Sequence, residues 1–212
     1  VITGCPSDIT VDNAMNICGN TVSWTAPTAS DNCSQVLTST HNPGDFFPVG
    51  TTTVTYTSVD PAGNTATCSF DVTVNDVQAP LIVSCPTIQT FPSDPGECSA
   101  DVLLLLTPPT VFENCGAVNV TFDPLGPYVV GSTPVTATVT DGSGNATTCT
   151  FTVLVFDNED PVFDVCPGDQ TFTADPGQCG AQVFFTAPTF SDNCGVANVI
   201  SSHMPGDVFQ TG

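Results

Sequence analysis

Cysteine recurs through this chain in a repeating phrase, and that spacing constrains the fold more than any other feature. Three segments open on Cys-Pro, at Cys5-Pro6, Cys85-Pro86 and Cys166-Pro167. A second cysteine follows at Cys18, Cys98 and Cys179, the last two inside Asp-Pro-Gly-x-Cys. A third closes an acidic-Asn-Cys triplet, at Asp31-Asn32-Cys33, Glu113-Asn114-Cys115 and Asp192-Asn193-Cys194, and a fourth sits in Thr-Cys-x-Phe at Cys68 and Cys149. Equivalent cysteines are 79 to 82 residues apart, which sets a unit of about 80 residues and repeats at 1–80, 81–161 and 162–212. The third repeat is incomplete: it reaches Gly212, the counterpart of Gly50 and Gly131, and lacks the final hairpin with the fourth cysteine. The chain is therefore expected to be a fragment of a longer array.

Inside each repeat the polarity alternates with period two. Residues 51–59 alternate, Asp60-Pro-Ala-Gly-Asn64 punctuates, and residues 65–74 return as the second arm of a hairpin. Residues 135–140, the turn Asp141-Gly-Ser-Gly-Asn145 and residues 147–156 repeat the pattern. A further strand is expected at 21–25, 101–106 and 182–186, ended by Pro27, Pro108 and Pro188, with Trp24, Leu105 and Phe185 in one core slot. Thr and Val dominate and no helical period persists beyond a turn. Each unit reads as a small antiparallel β-sandwich, whose thin core calls for disulfide support.

Charge narrows the function. The chain carries 21 acidic residues and no Lys or Arg, a formal net charge of −21. Nothing can neutralise nucleic-acid phosphates, adhere to an anionic membrane through a basic patch or supply a Walker lysine. No apolar run reaches the ~18–20 residues that span a bilayer. With 40% hydrophobic residues the chain can build a core and is not expected to be disordered. Eleven cysteines without a CxxC pair point to disulfides in an oxidising compartment, extracellular or on a cell surface.

The run Cys-Pro, Cys-Gly-Ala-x-Val, Ala-Pro-Thr, Asp-Asn-Cys, Pro-Gly-Asp-x-Phe and Asp-x-x-Gly-Asn-x-Thr-x-Cys-x-Phe resembles the hyalin repeat (HYR) domain, in three copies covering the whole chain. The resemblance implies tandem immunoglobulin-like sandwiches in long extracellular proteins of adhesion and matrix, without catalysis. The expected fold class is all-β: tandem immunoglobulin-like antiparallel β-sandwiches of about 80 residues, disulfide-stapled.

Four cysteines allow three pairings per unit. An up-and-down strand order would pair first with third and second with fourth: Cys5–Cys33, Cys18–Cys68, Cys85–Cys115, Cys98–Cys149 and Cys166–Cys194, with Cys179 left over. The rival is a bridge between neighbours such as Cys18 and Cys33.

The repeat junctions are acidic, at Val74-Asn75-Asp76 and at Asp157-Asn158-Glu159-Asp160. The second junction resembles the calcium-binding linker of cadherins. One linker cannot supply the six to eight oxygens calcium takes. Loops of the following repeat are expected to help, Glu113, Asn114 and Asp141 towards Asp76, and Asp192 and Asn193 towards Asp157 and Asp160. The same residues also read as turn-formers through side-chain to backbone bonds, and the sequence leaves both readings open. Asn119 and Asn145 begin sequons. His41 and His203 have no partner in the pattern for a metal site, and no nucleophile–base constellation stands out. The expected function is a non-catalytic structural or adhesive segment of a secreted rod or filament, with neighbouring repeats, other copies of itself, glycans or cell-surface proteins as partners. The alternative is a ligand- or carbohydrate-binding adhesion module, or a spacer in a larger surface protein.

Overall fold

The computed structural model describes residues 1–195 and 199–210; Gly212 lies outside the described residues. In the first repeat, Thr- and Val-rich segments form β1 (Ile2–Thr3), β2 (Ile9–Asp12), β3 (Gly19–Thr21), β4 (Thr28–Ala29), β5 (Val36–Ser39), β6 (Phe46–Pro48), β7 (Gly50–Val59) and β8 (Thr65–Asn75). A four-stranded sheet has the order β2-β8-β7-β5, and two short pairs, β1-β4 and β3-β6, accompany it. β7 and β8 form the long hairpin, with Val54 opposite Phe70 and Thr52 opposite Val72.

Period two decides which side chains go inside. Val54, Tyr56 and Ser58 from β7 are buried, with Phe70, Val72 and Val74 from β8, and Val22 and Phe47 close the core. Trp24 packs edge-on against Phe47 and Phe70 and donates from its indole nitrogen to Tyr56 Oη at 2.9 Å. On the outward face Thr51 bonds Thr73 at 3.0 Å and Thr53 donates to Asp71 at 2.6 Å, so the strand hydroxyls form cross-strand pairs.

The second repeat repeats the plan with β9 (Leu81–Ser84), β10 (Ile88–Pro92), β11 (Ser99–Ala100), β12 (Thr110–Phe112), β13 (Asn119–Asp123), β14 (Tyr128–Val129), β15 (Gly131–Thr140) and β16 (Ala146–Phe156). Its sheet order is β10-β16-β15-β13. The third repeat contributes β17 (Val162–Val165), β18 (Gly180–Gln182), β19 (Thr189–Ser191) and β20 (Val208–Gln210). Its sequence has no counterpart of the long hairpin, and Phe172, Val183, Phe185 and Phe209 line an open cleft. By its contacts the chain falls into two compact units, divided within the second repeat. The first comprises Val1–Pro86, Pro108–Asp123 and Thr136–Thr150; the second comprises Thr87–Thr107, Pro124–Val135 and Phe151–Gly212.

Two expectations are corrected. The strand expected at 21–25 is Gly19–Thr21, its equivalent at 182–186 is Gly180–Gln182, and 101–106 holds a 3₁₀ turn at Leu103–Leu105. That turn rotates the apolar run, so Leu106 is buried while Leu105 is 66% exposed and leaves the core slot held by Trp24. The up-and-down order also fails, because β2 runs parallel to β8, with Ile9 beside Val72, and β10 runs parallel to β16. Among the described residues no helix is long and apolar enough to cross a membrane.

Phe47→Ala should destabilise the first repeat by about 3–5 kcal/mol, the range for an emptied aromatic core site. Thr67→Ala, on the exposed face of β8, should stay within about 0.5 kcal/mol. Chemical denaturation of the oxidised chain measures both.

Candidate functional site

Parallel pairing lays the start of the first and of the second repeat along its last strand. This brings Cys5 to Cys68 and Cys85 to Cys149, and both pairs are bridged. The expected first-to-third bridges Cys5–Cys33 and Cys85–Cys115 do not form. The first repeat shows why. Val49 N–H bonds the Cys18 carbonyl and Asn13 N–H bonds the Asn75 carbonyl, so Cys18 lies at the end where β8 finishes. Asp31, beside Cys33, lines the opposite end together with Val1, Asp60 and Asn64.

Cysteines at the trailing end of one repeat meet the leading loop of the next. Cys18 bridges Cys115 and Cys98 bridges Cys194, each with Cα atoms 4.8 Å apart. These replace the expected Cys18–Cys68, Cys98–Cys149 and Cys166–Cys194. Cys33 and Cys166 are exposed and unbridged, and Cys179 is exposed beside β18.

The same polar lock surrounds each crossing. The turn before Cys18 puts Asn16 at φ 60°, and its counterparts Gly96 and Gly177 both sit at φ 77°. Asn is one of the few side chains that tolerates this left-handed region. Linker residues clasp the turn: Asn16 N–H donates to Gln78 Oε1 at 2.7 Å and Gly96 N–H to Glu159 Oε1 at 2.6 Å. From the other side, Asn114 Nδ2 donates to the Ile17 carbonyl at 3.3 Å and Asn193 Nδ2 to the Glu97 carbonyl at 2.9 Å. The acid of each triplet accepts the N–H of the bridged cysteine, Glu113 from Cys115 at 2.9 Å and Asp192 from Cys194 at 2.8 Å. Sequence reasoning missed Gln78 and placed Glu159 in the acidic junction without its part in this clasp, although both stand seven positions before a Cys-Pro.

Three of the junction carboxylates converge. Asp76, Glu113 and Asp141 place ligand oxygens within 4.8 Å of one another. Asp141 comes from the hairpin turn of the second repeat, which wraps the linker: Ser143 Oγ donates to Asp76 Oδ2 at 3.2 Å and Asn145 Nδ2 to the Asp76 carbonyl at 3.2 Å. Burial would push the Asp141 carboxyl up, but hydrogen bonds from the Asn145 side chain and from the Asn145 and Ser143 N–H groups outweigh it and hold the group below its ordinary value.

The acids of the second junction are arranged differently. Asp157 accepts from Glu159 N–H at 3.1 Å, and Asp160 is exposed. Among the described residues Asp157, Asp160 and Asp192 join no cluster of three. Of the sequon residues, Asn119 is exposed at the start of β13, whereas the Asn145 amide nitrogen is engaged by Asp76 and Asp141. His41 and His203 lie against Phe47 and Phe209.

The HYR domain model matches three times, over residues 1–74, 75–155 and 156–212. Its boundaries fall six residues ahead of those counted from the cysteines. Hyalin of Strongylocentrotus purpuratus is 40% identical over 226 residues, taking in all of this chain and 18% of that protein. Hyalin of Lytechinus variegatus is 38% identical over 203 residues, 92% of this chain and 38% of that protein. "Sushi, von Willebrand factor type A, EGF and pentraxin domain-containing protein 1" of Rattus norvegicus is 34% identical over 164 residues, 71% of this chain and 4% of that protein. The chain thus spans well under half the length of these relatives. Among solved structures, a protocadherin gammaB7 EC3-6 fragment aligns with 91% of this chain and 55% of its own at 14% identity and a TM-score of 0.34, too loose a match to add to the fold described above.

Two measurements follow. Digestion of the unreduced chain at acidic residues, since trypsin has no site, should yield one linked peptide holding Cys18 with Cys115 and another holding Cys98 with Cys194; links of Cys5 to Cys33 would contradict the bridging. Hydrogen bonds from the Asn64 side chain and then its N–H hold Asp60 below 3.8. The stability this turn adds is present above about pH 3.8 and lost as pH falls through the lower folded value. An NMR titration of the Asp60 carboxyl carbon should accordingly show a midpoint under 3.8.

Proposed function

The chain belongs to the HYR domain family, and from that premise we propose that it is a tension-bearing segment of an extracellular tandem-repeat protein, a non-catalytic piece of an adhesive rod or filament. The observation that carries this reading is the pair of cross-repeat bridges, Cys18–Cys115 and Cys98–Cys194. A disulfide confined to one repeat protects that repeat alone. A bridge from one repeat to the next gives the chain a covalent route that bypasses the sandwich cores, so unfolding a core under load does not let the array run out.

Several other features support the reading. Four disulfides suit an oxidising exterior. The absence of Lys and Arg leaves no cleavage site for trypsin-like proteases. The hyalins matched along the whole chain or most of it are longer proteins, of which this chain spans a part. Neighbouring repeats and other copies of the chain are the partners that a self-similar array offers first. By the loop-entropy relation, each long-range bridge contributes about 2–5 kcal/mol.

Force spectroscopy tests the proposal. The shortest covalent route runs from Val1 to Cys18, across to Cys115, back to Cys98, across to Cys194 and on to Gly212. The oxidised chain pulled from its ends should stop at roughly a quarter of the contour length reached after reduction, taking ~3.3–3.6 Å per residue. Equal extension before and after reduction would sink the tensile role.

A further inference from the structure

The loop that carries Cys33 is built like the two loops that close a cross-repeat bridge, yet its cysteine is exposed and unbridged. Asp31 accepts the Cys33 N–H at 3.0 Å, as Glu113 accepts from Cys115 at 2.9 Å and Asp192 from Cys194 at 2.8 Å. The hairpin turn at the same end matches too. Asp60 holds the Asn64 N–H at 2.8 Å and its amide nitrogen at 2.7 Å, and Asp141 holds Asn145 in the same way at 2.8 and 2.9 Å. Loop and turn are thus set without a partner in place.

A second observation is independent of the thiol. In the second repeat the equivalent loop and turn are occupied: Asn114 Nδ2 reaches the Ile17 carbonyl at 3.3 Å and Asn145 Nδ2 the Asp76 carbonyl of the linker at 3.2 Å. Burial records the occupation. Glu113, Asn114, Cys115 and Asn145 are half-buried and Asp141 is buried, and in the third repeat Asp192, Asn193 and Cys194 are half-buried. In the first repeat Asp31, Asn32, Cys33 and Asn64 are exposed and Asp60 is half-buried, so each of the five is more open than its counterpart in the second. A crevice of about 150 Å³ lies at this end, lined by Val1, Asp31, Ser58, Asp60 and Asn64 among others.

We propose that the leading end of the first repeat is a socket for the trailing end of a further HYR repeat, sealed by a disulfide from Cys33 to that repeat's second cysteine. The proposal rests on the reading of the chain as a segment of a tandem array. Asn32 Nδ2 donates to the carbonyl just before the incoming cysteine, as Asn114 and Asn193 do to Ile17 and Glu97. The incoming turn needs a residue that tolerates left-handed backbone two positions before its cysteine, the place of Asn16 and Gly96. Ala62 stands where Ser143 donates to the linker, so this socket offers one hydrogen bond fewer than the second repeat does. A charge of −21 on every copy opposes docking between separate chains. The occupant is therefore a repeat held on the same polypeptide, where a short linker supplies an effective concentration of about millimolar. The bridge forms by thiol–disulfide exchange: the two cysteine thiols become one disulfide, and a small extracellular disulfide of the glutathione type is reduced to two thiols, which take the protons.

The test places a second copy of residues 75–161 directly ahead of Val1 in the 212-residue chain, with Cys115→Ser in the added copy. The copied Glu159 then stands seven positions before Cys5, the spacing it has before Cys166. Both chains are oxidised in a glutathione redox buffer, alkylated with iodoacetamide after removal of glutathione caps from exposed thiols by brief mild reduction, and mapped. Cys33 should be alkylated in the 212-residue chain, and in the extended chain it should lose that label and appear linked to the copied Cys98 within a monomer. Asn32→Ala should slow the formation of this bridge about fivefold, since one neutral hydrogen bond is worth about 1 kcal/mol. Correct Cys5–Cys68 and Cys18–Cys115 bridges establish that the extended chain is folded. Should they fail to form, a copy of residues 1–80 carrying Cys33→Ser takes the place of the first insert, with its Cys18 as the expected partner. Alkylation of Cys33 in the folded extended chain, its linkage to any other cysteine or only between separate chains, or an unchanged rate in Asn32→Ala would each overturn the socket. Failure here leaves the two observed cross-repeat bridges and their tensile role intact, whereas equal extension in the pulling experiment removes that role and leaves the Cys33 bridge standing.

Discussion

The parallel pairing of β2 with β8, and of β10 with β16, is the constraint on which the remaining arrangement depends. It aligns the first cysteine of a repeat with the fourth along the same sheet, so those two bridge within the repeat. The second and third cysteines are then at opposite ends of the first repeat and can only bond outward. Two intrarepeat bridges for each set of four would have left the junctions to hydrogen bonds alone.

Around each crossing the polar groups are placed by the same geometry. An Asn amide reaches the carbonyl beside the second cysteine, a linker side chain caps the left-handed residue before it, and the triplet acid holds the third cysteine's N–H. These bonds use groups that must be satisfied in any case when loops are buried. They give the disulfide a fixed setting, and between Asp76, Glu113 and Asp141 they gather acid where the chain has no base. Electrostatics and cross-linking thus meet in one place. The staple resists separation of the segments that the carboxylates, without a cation, would push apart.

The core follows simpler rules. Alternation along β7 and β8 sends Val54, Tyr56, Phe70, Val72 and Val74 inward, as the Thr-Val pattern foretells. Where local pattern misled, in Leu103–Leu106, four leucines in a row carry no period, and a 3₁₀ turn chose Leu106 over Leu105 for burial. The strand expected at 21–25 fell short for a related reason: its backbone beyond Thr21 bonds to Asp45 and Gly44 through Val22 alone, without extending the ladder.

The sequence by itself determined the repeat, the β class, the long hairpins with their turns, and which residues are acidic at the junctions, because each of these is written in spacing and alternation within a few residues. It also singled out Glu113 and Asp141 as residues near Asp76, since in a sandwich the loop after the second strand and the last hairpin turn lie at the end facing the preceding repeat; Asn114, expected there too, instead reaches the Ile17 carbonyl. Tertiary structure alone decided the cysteine partners and the divergence of Asp157, Asp160 and Asp192 from the Asp76 cluster. Pairing of cysteines 63 and 97 residues apart depends on strand direction and on which end each loop occupies. A parallel edge strand reverses that geometry relative to an up-and-down order without altering one residue of the local pattern.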